Sequence, residues 1–156
     1  MAWLDEAVRA FLAHKRIAVA GVSRGGALPS NAIYRKLRGA GHEVFAVNPA
    51  ASEVEGGPCY PNLRAIPGGV EAVVIATPPA AADALVRECV DLGIRHVWMH
   101  RSFGGGSVSP AAVAYGREHG VTVIDGACPM MFVQPDVGHR CVRWILGMTG
   151  GLPKGA

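Results

Sequence analysis

The chain has 156 residues, half of them hydrophobic and 17% charged, with a formal net charge of +3. That size supports one domain burying roughly two-thirds of its unfolded surface and excludes disorder over most of its length. The basic residues are scattered without a dense block, which argues against a nucleic-acid face, and no apolar run reaches the roughly 18 residues of a membrane span.

Leu4, Ala7, Val8, Phe11 and Leu12 recur at helical spacing opposite Asp5, Glu6 and Arg9, which predicts an amphipathic helix within residues 1–14, docked on a sheet edge. Arg16 to Gly21 is a short apolar run closed by glycine, as expected for a strand buried on both faces. After the loop from Val22 to Leu28, Pro29 opens a helix carrying Ile33, Tyr34 and Leu37 inward, stopped by Gly39 and Gly41. The second strand is Glu43 to Val47. A looser stretch from Asn48 to Gly69 leads to a third strand, Glu71 to Ala76, and Thr77-Pro78-Pro79 then starts a helix that Gly93 stops.

His96 to Met99 makes the fourth strand, Gly104-Gly105-Gly106 a flexible loop, and Ser109-Pro110 a helix start. Val121 to Ile124 is the fifth strand, a last helix runs from about Gly138 to Leu146, and residues 151–156 read as a frayed tail. Strands alternating with helices imply parallel pairing with right-handed crossovers. The expectation is one α/β domain over residues 1–150: a three-layer, doubly wound, Rossmann-like fold on a five-stranded, mainly parallel sheet. Cys59, Cys89, Cys128 and Cys141 form no C-x-x-C pair, and Asp5 and Glu6 interrupt the segment where a signal peptide stays apolar. The compartment therefore reads as cytoplasmic, with reduced thiols.

In such a sheet, ligands bind beyond the carboxyl ends of the strands, near the point where strand order reverses. The first such loop, Gly21-Val22-Ser23-Arg24-Gly25-Gly26, puts Gly21, Ser23 and Gly26 on the spacing of the dinucleotide fingerprint, with serine at its second glycine. Small residues there let the backbone approach a diphosphate, and the helix that follows offers free N–H groups; a plain tight turn would read the same way. Arg24, and Ser30 with Asn31, are candidates for phosphate oxygens, or else a solvated arginine and helix-capping groups. Val47-Asn48-Pro49 lacks the acid that holds the ribose hydroxyls in NAD sites, which favours a ligand with extra phosphate. Ala76-Thr77-Pro78-Pro79 ends the third strand with small, stiff residues that can lie flat against a nucleotide.

Gly21-Val22-Ser23, Val47-Asn48-Pro49, Ala76-Thr77-Pro78 and Val97-Trp98-Met99, in this order, resemble the small stand-alone bacterial CoA-binding proteins, whose domain is similar to the CoA-binding domain of the succinyl-CoA synthetase alpha subunit. The resemblance implies coenzyme A or an acyl-CoA with its diphosphate over Gly21 to Gly26 and its adenosine end near Val47-Asn48-Pro49. The pantetheine arm would then pass Ala76-Thr77-Pro78 toward Met99 and His100. Synthetases using this domain carry their phosphorylated histidine in a further domain, so the resemblance implies binding without turnover, as sensor or carrier.

From the residues alone, His100, Asp125 and Cys128 follow strand ends, but no third group orients them as a triad, so no catalytic set is assigned. If Cys128 lies near the CoA thiol, a mixed disulfide could form. No metal site is expected: His139 and Cys141 stand two apart on a helix and point away from each other. Trp98, Phe103, Phe132 and Trp144 read as core or partner-facing groups, since no basic groove accompanies them. Two rivals remain: an NADP(H)-binding enzyme or regulator, and a subunit-like interaction protein or homo-oligomer using Trp144 as contact.

Overall fold

The computed structural model describes residues 2–102 and 104–155. Phe103, one of the aromatic residues considered above, lies outside them. The main strands are β1 (Arg16–Ala20), β2 (Glu43–Val47), β5 (Ala72–Ile75), β6 (His96–Met99) and β7 (Thr122–Asp125). Between β2 and β5 lie two short strands, β3 (Glu53–Val54) and β4 (Gly57–Tyr60). The helices are α1 (Ala2–Leu12), α2 (Pro29–Gly39), α3 (Pro79–Asp91), α4 (Pro110–Glu118) and α5 (Val137–Thr149), with a 3₁₀ turn over Pro129–Met131.

The sheet therefore has seven strands rather than five, in the order β3-β4-β2-β1-β5-β6-β7, and it is mixed. β4 pairs in parallel with β2 through Ala46–Cys59 and Val47–Tyr60, while β3 pairs antiparallel with β4. The extra pair arises from the segment expected to be loose. Its turn is Glu55-Gly56, both at positive φ (53° and 74°), a two-residue hairpin geometry in which glutamate is an unusual first residue. A four-residue strand containing Gly57 and Pro58 also has neither an alternating nor a continuous apolar pattern to reveal it. Without β3, the order β4-β2-β1-β5-β6-β7 reverses direction between β1 and β5.

Each central strand buries both faces, so its residues divide by period two between two cores. Ile17, Val19, Val74, Trp98 and Ile124 face the layer of α1 and α2; Ala18, Ala20, Val73, Ile75, Val97, Met99 and Val123 face α3 and α4. α1 packs over the β7 edge of the sheet as expected, and it is deeply seated there: Leu4, Ala7, Val8 and Phe11 are buried in the first core, and Phe11 meets the Trp98 ring edge-on at 5.5 Å. Truncating one such aromatic costs roughly 3–5 kcal/mol, so α1 is part of the fold rather than an appendage.

The tail is not frayed. Gly150 takes a left-handed C-cap (φ 74°), the Gly151 N–H donates to Leu146 O at 2.8 Å, and Leu152 is buried with Leu146 in the first core. Pro153 packs over Gly126, so apolar burial holds the chain down past the helix end.

Candidate functional site

A crevice of about 540 Å³ opens at the carboxyl ends of β1, β2 and β5, where strand order reverses. Ala20, Gly21 and Ser23 line it from the first strand end, Val47, Asn48 and Pro49 from the second, and Thr77 and Pro78 from the end of β5. The floor depends on one close approach. Gly21 has φ of +100°, and a Cβ there would stand 2.5 Å from Ala76 O, so two strand ends meet only because this residue has no side chain. The ladder continues into the loops: Gly21 N–H donates to Val47 O at 2.9 Å and Ala76 N–H to Ala20 O at 3.0 Å.

The turn after β1 is held from inside. Ser30 Oγ donates to Gly21 O at 2.8 Å, Asn48 Nδ2 to Val22 O at 3.0 Å and Asn31 Nδ2 to Ser23 O at 2.8 Å. Three consecutive carbonyls are thereby aimed at protein donors. Asn31 Oδ1 also accepts from Ser23 N–H and Oγ, at 3.0 and 3.1 Å. Ser30 and Asn31 are fully enclosed. They set the backbone of the turn, and they do not cap the helix, whose N-cap is Leu28 with no side-chain cap.

Asn31 is oriented in turn by the hairpin that local pattern did not reveal. Its Nδ2 also donates to Glu55 Oε1 at 2.7 Å, and Arg35 Nη1 pairs with the same oxygen at 2.6 Å. Asn48 is fixed from its other end as well, Oδ1 accepting from Ala50 N–H at 2.9 Å. Of the remaining turn residues, Val22 is wholly buried, Arg24 is exposed at the tip, and Gly26 takes φ of +74° beside Glu55.

The helices that begin at the crevice start without side-chain caps. α2 follows Leu28, which lines the crevice, and α3 follows Pro78, which also lines it. Each helix begins on proline, which has no N–H, and Asn31 and Ala81 N–H donate to Leu28 O and Pro78 O at 3.0 Å, so one early amide per helix, at Ser30 and Ala80, joins the positive end of the dipole in suiting an anionic group. With the turn's carbonyls directed inward, the arrangement can receive a phosphate-bearing ligand through main-chain amides.

The expected path toward Met99 and His100 is not part of the crevice. Met99 is completely buried in the second core, and His100 follows it outside the lining, its ring pushed below the ordinary histidine pKa by burial. The crevice runs instead down α3 past Ala81, Ala84 and Leu85 to Glu88, facing Pro61 and Asn62. Pro61 and Asn62 follow β4, and recognising that strand would have pointed to them.

Cys128 is 3% exposed, and burial raises its thiol pKa, so it lacks the access and thiolate character that mixed-disulfide formation requires. Asp125 Oδ1 is paired with Arg117 Nη2 at 3.0 Å. Trp98 is buried between Phe11 and Phe132, whereas Trp144 is 66% exposed on α5. Among the described residues all four cysteines are free, no group of three side chains could hold a metal, and no helix is long and apolar enough to cross a membrane.

Strand order, crevice and turn define an α/β domain of Rossmann-like type. A family model described as CoA binding domain matches residues 15–134, and the chain belongs to that family. It is 37% identical over 75 residues to an ADP-forming acetate–CoA ligase of Archaeoglobus fulgidus; the match covers 48% of this chain and 11% of the ligase. The chain thus spans a small part of that relative's length. A hypothetical protein from Pyrococcus horikoshii has a similar structure, with a TM-score of 0.74 and 28% identity over 81% of this chain and 87% of that one. A Thermus thermophilus protein gives a TM-score of 0.70 at 26% identity, covering 88% and 98%.

Proposed function

We propose that this chain binds coenzyme A or an acyl-CoA in the crevice at the β1–β5 reversal and holds it without turnover, as a sensor or carrier. The observation that carries the reading is the inward bonding of three successive carbonyls, at Gly21, Val22 and Ser23, in a member of the CoA-binding domain family. That bonding withdraws the oxygens that would repel a diphosphate and leaves a turn that carries Arg24 and whose Arg24, Gly25 and Gly26 amides are not used by the protein among the described residues, beside two helix starts without side-chain caps. Binding without chemistry is supported by the three candidate groups themselves: Cys128 is buried, Asp125 is paired with Arg117, and His100 lies outside the crevice.

Thermal shift of the purified protein with CoA, acetyl-CoA, NAD and NADP at equal concentration tests this. A ligand at 100 times its Kd adds about 2.7 kcal/mol, or roughly 5–10 °C in a domain of this size. CoA and acetyl-CoA are expected to give such shifts, and Ser23→Asp to abolish them by setting a negative charge beside the diphosphate. A shift with NADP and none with CoA overturns the reading; ordinary CoA affinity in Ser23→Asp removes the turn from the site.

A further inference from the structure

The part of the crevice that runs down α3 has a chemistry of its own. Ala81, Ala84, Leu85 and Glu88 fall at i, i+3, i+4 and i+7, one stripe of a helix. Across the slot stand Pro61 and Asn62. Apart from Asn62 these walls are apolar, and they end at a carboxylate. Glu88 is the one charged side chain lining the crevice among the described residues, and it lies about 13 Å along the helix from Pro79 at 1.5 Å per residue. Its Oε1 accepts from Leu63 N–H at 2.7 Å, which fixes the group at the slot's end. A carboxylate fixed through one oxygen keeps further lone pairs for a second donor.

The crevice is therefore polarised. Phosphate is favoured at the amide-rich Gly21 turn and repelled at Glu88, where only a hydrogen-bond donor is satisfied. Val47, Asn48 and Pro49, where the adenosine end is expected, line one crevice with the slot residues, whereas Met99 and His100 lie outside it. Resting on the CoA reading, we propose that the slot takes the purine base and that Glu88 is a specificity residue accepting a hydrogen bond from its exocyclic amino group. Adenine is then preferred over a base with a carbonyl at that position, because two facing acceptors leave both unpaired.

The test compares CoA with its deaminated analogue, in which hypoxanthine replaces adenine, by calorimetric titration of the wild-type protein and of Glu88→Gln. The wild type is expected to bind CoA about 10- to 100-fold more tightly than the analogue, the span of one hydrogen bond to a charged group. In Glu88→Gln the amide oxygen can keep the Leu63 bond while its NH₂ faces the base, so the preference disappears or reverses. Equal affinity of the wild type for both ligands overturns the role of Glu88 and leaves CoA binding intact. A wild-type protein that binds neither ligand overturns the CoA reading itself. The ligand comparison on wild type needs no variant to fold.

Discussion

The starts of α2 to α5 fall into two pairs. α4 and α5 begin with side-chain caps: Ser109 Oγ accepts from Ala112 N–H at 3.3 Å, and Asp136 Oδ1 accepts from His139 N–H at 2.9 Å. α2 and α3 begin after Leu28 and Pro78 with no such acceptor, and both of those residues line the crevice. A cap satisfies an orphan amide and stabilises the free protein by about 1 kcal/mol. α4 and α5 have that stabilisation, while α2 and α3, which border the crevice, leave the Ser30 and Ala80 amides to solvent or ligand. The polar residues that local sequence offers near the start of α2, Ser30 and Asn31, are turned back onto the carbonyls of the preceding turn.

The largest expected effect breaks the junction that brings the uncapped pair together. Gly21→Ala combines a positive φ with a Cβ 2.5 Å from Ala76 O, and should lower unfolding free energy in urea by about 3–5 kcal/mol. A loss below about 1 kcal/mol would mean that β1 and β5 can separate without harm, and the crevice would not be a rigid one.

Next comes the contrast between the pairs. Leu28→Asp supplies the missing acceptor and is expected to raise the stability of the free protein by about 0.5–1 kcal/mol while weakening CoA about tenfold, because its carboxylate competes for the same amides. Ser109→Ala should do the reverse, losing about 1 kcal/mol with CoA affinity unchanged in the same titration. Equal weakening of CoA by both variants would erase the distinction.

The smallest effect concerns the strand end outside the crevice. Burial holds His100 below its ordinary pKa of 6.5, and burial followed by the neighbouring His14 does the same for His96. A base whose folded pKa is depressed favours the native state while neutral. That contribution is complete above pH 6.5 and declines as pH falls below it. The melting temperature should therefore fall slightly between neutral pH and about pH 5, before the carboxylates of Glu71 and Asp136, held below their usual range, protonate. His100→Asn should flatten part of that slope without changing CoA affinity; a change in affinity would bring His100 into the site.

Much of this was legible locally. The five principal strands are short apolar runs, and their positions follow from that pattern with shifts of a residue at Gly21, Glu71, Ala76, Val121 and Asp125. The turn from Gly21 to Gly26 and the tips at Asn48 and Thr77 were readable because glycine, proline and small polar residues mark loop ends. The β3–β4 hairpin was not, since Glu55 in a left-handed turn and a strand containing Gly57 and Pro58 carry no local signature. With it went Glu55 behind Asn31, and Pro61 and Asn62 in the crevice wall.

The amino-acid order by itself determined the five principal strands, the helices between them and which loops follow those strands, because period and turn chemistry act over a few residues. Only the tertiary structure decided that Ser30, Asn31 and Asn48 bond inward, that Met99 is sealed in a core, and that the crevice turns down α3 to Glu88. The reason is distance along the chain. Glu55 orients Asn31 across 24 residues, Leu63 fixes Glu88 across 25, and the close approach of Gly21 to Ala76 joins segments that meet only once the sheet has set its strand order.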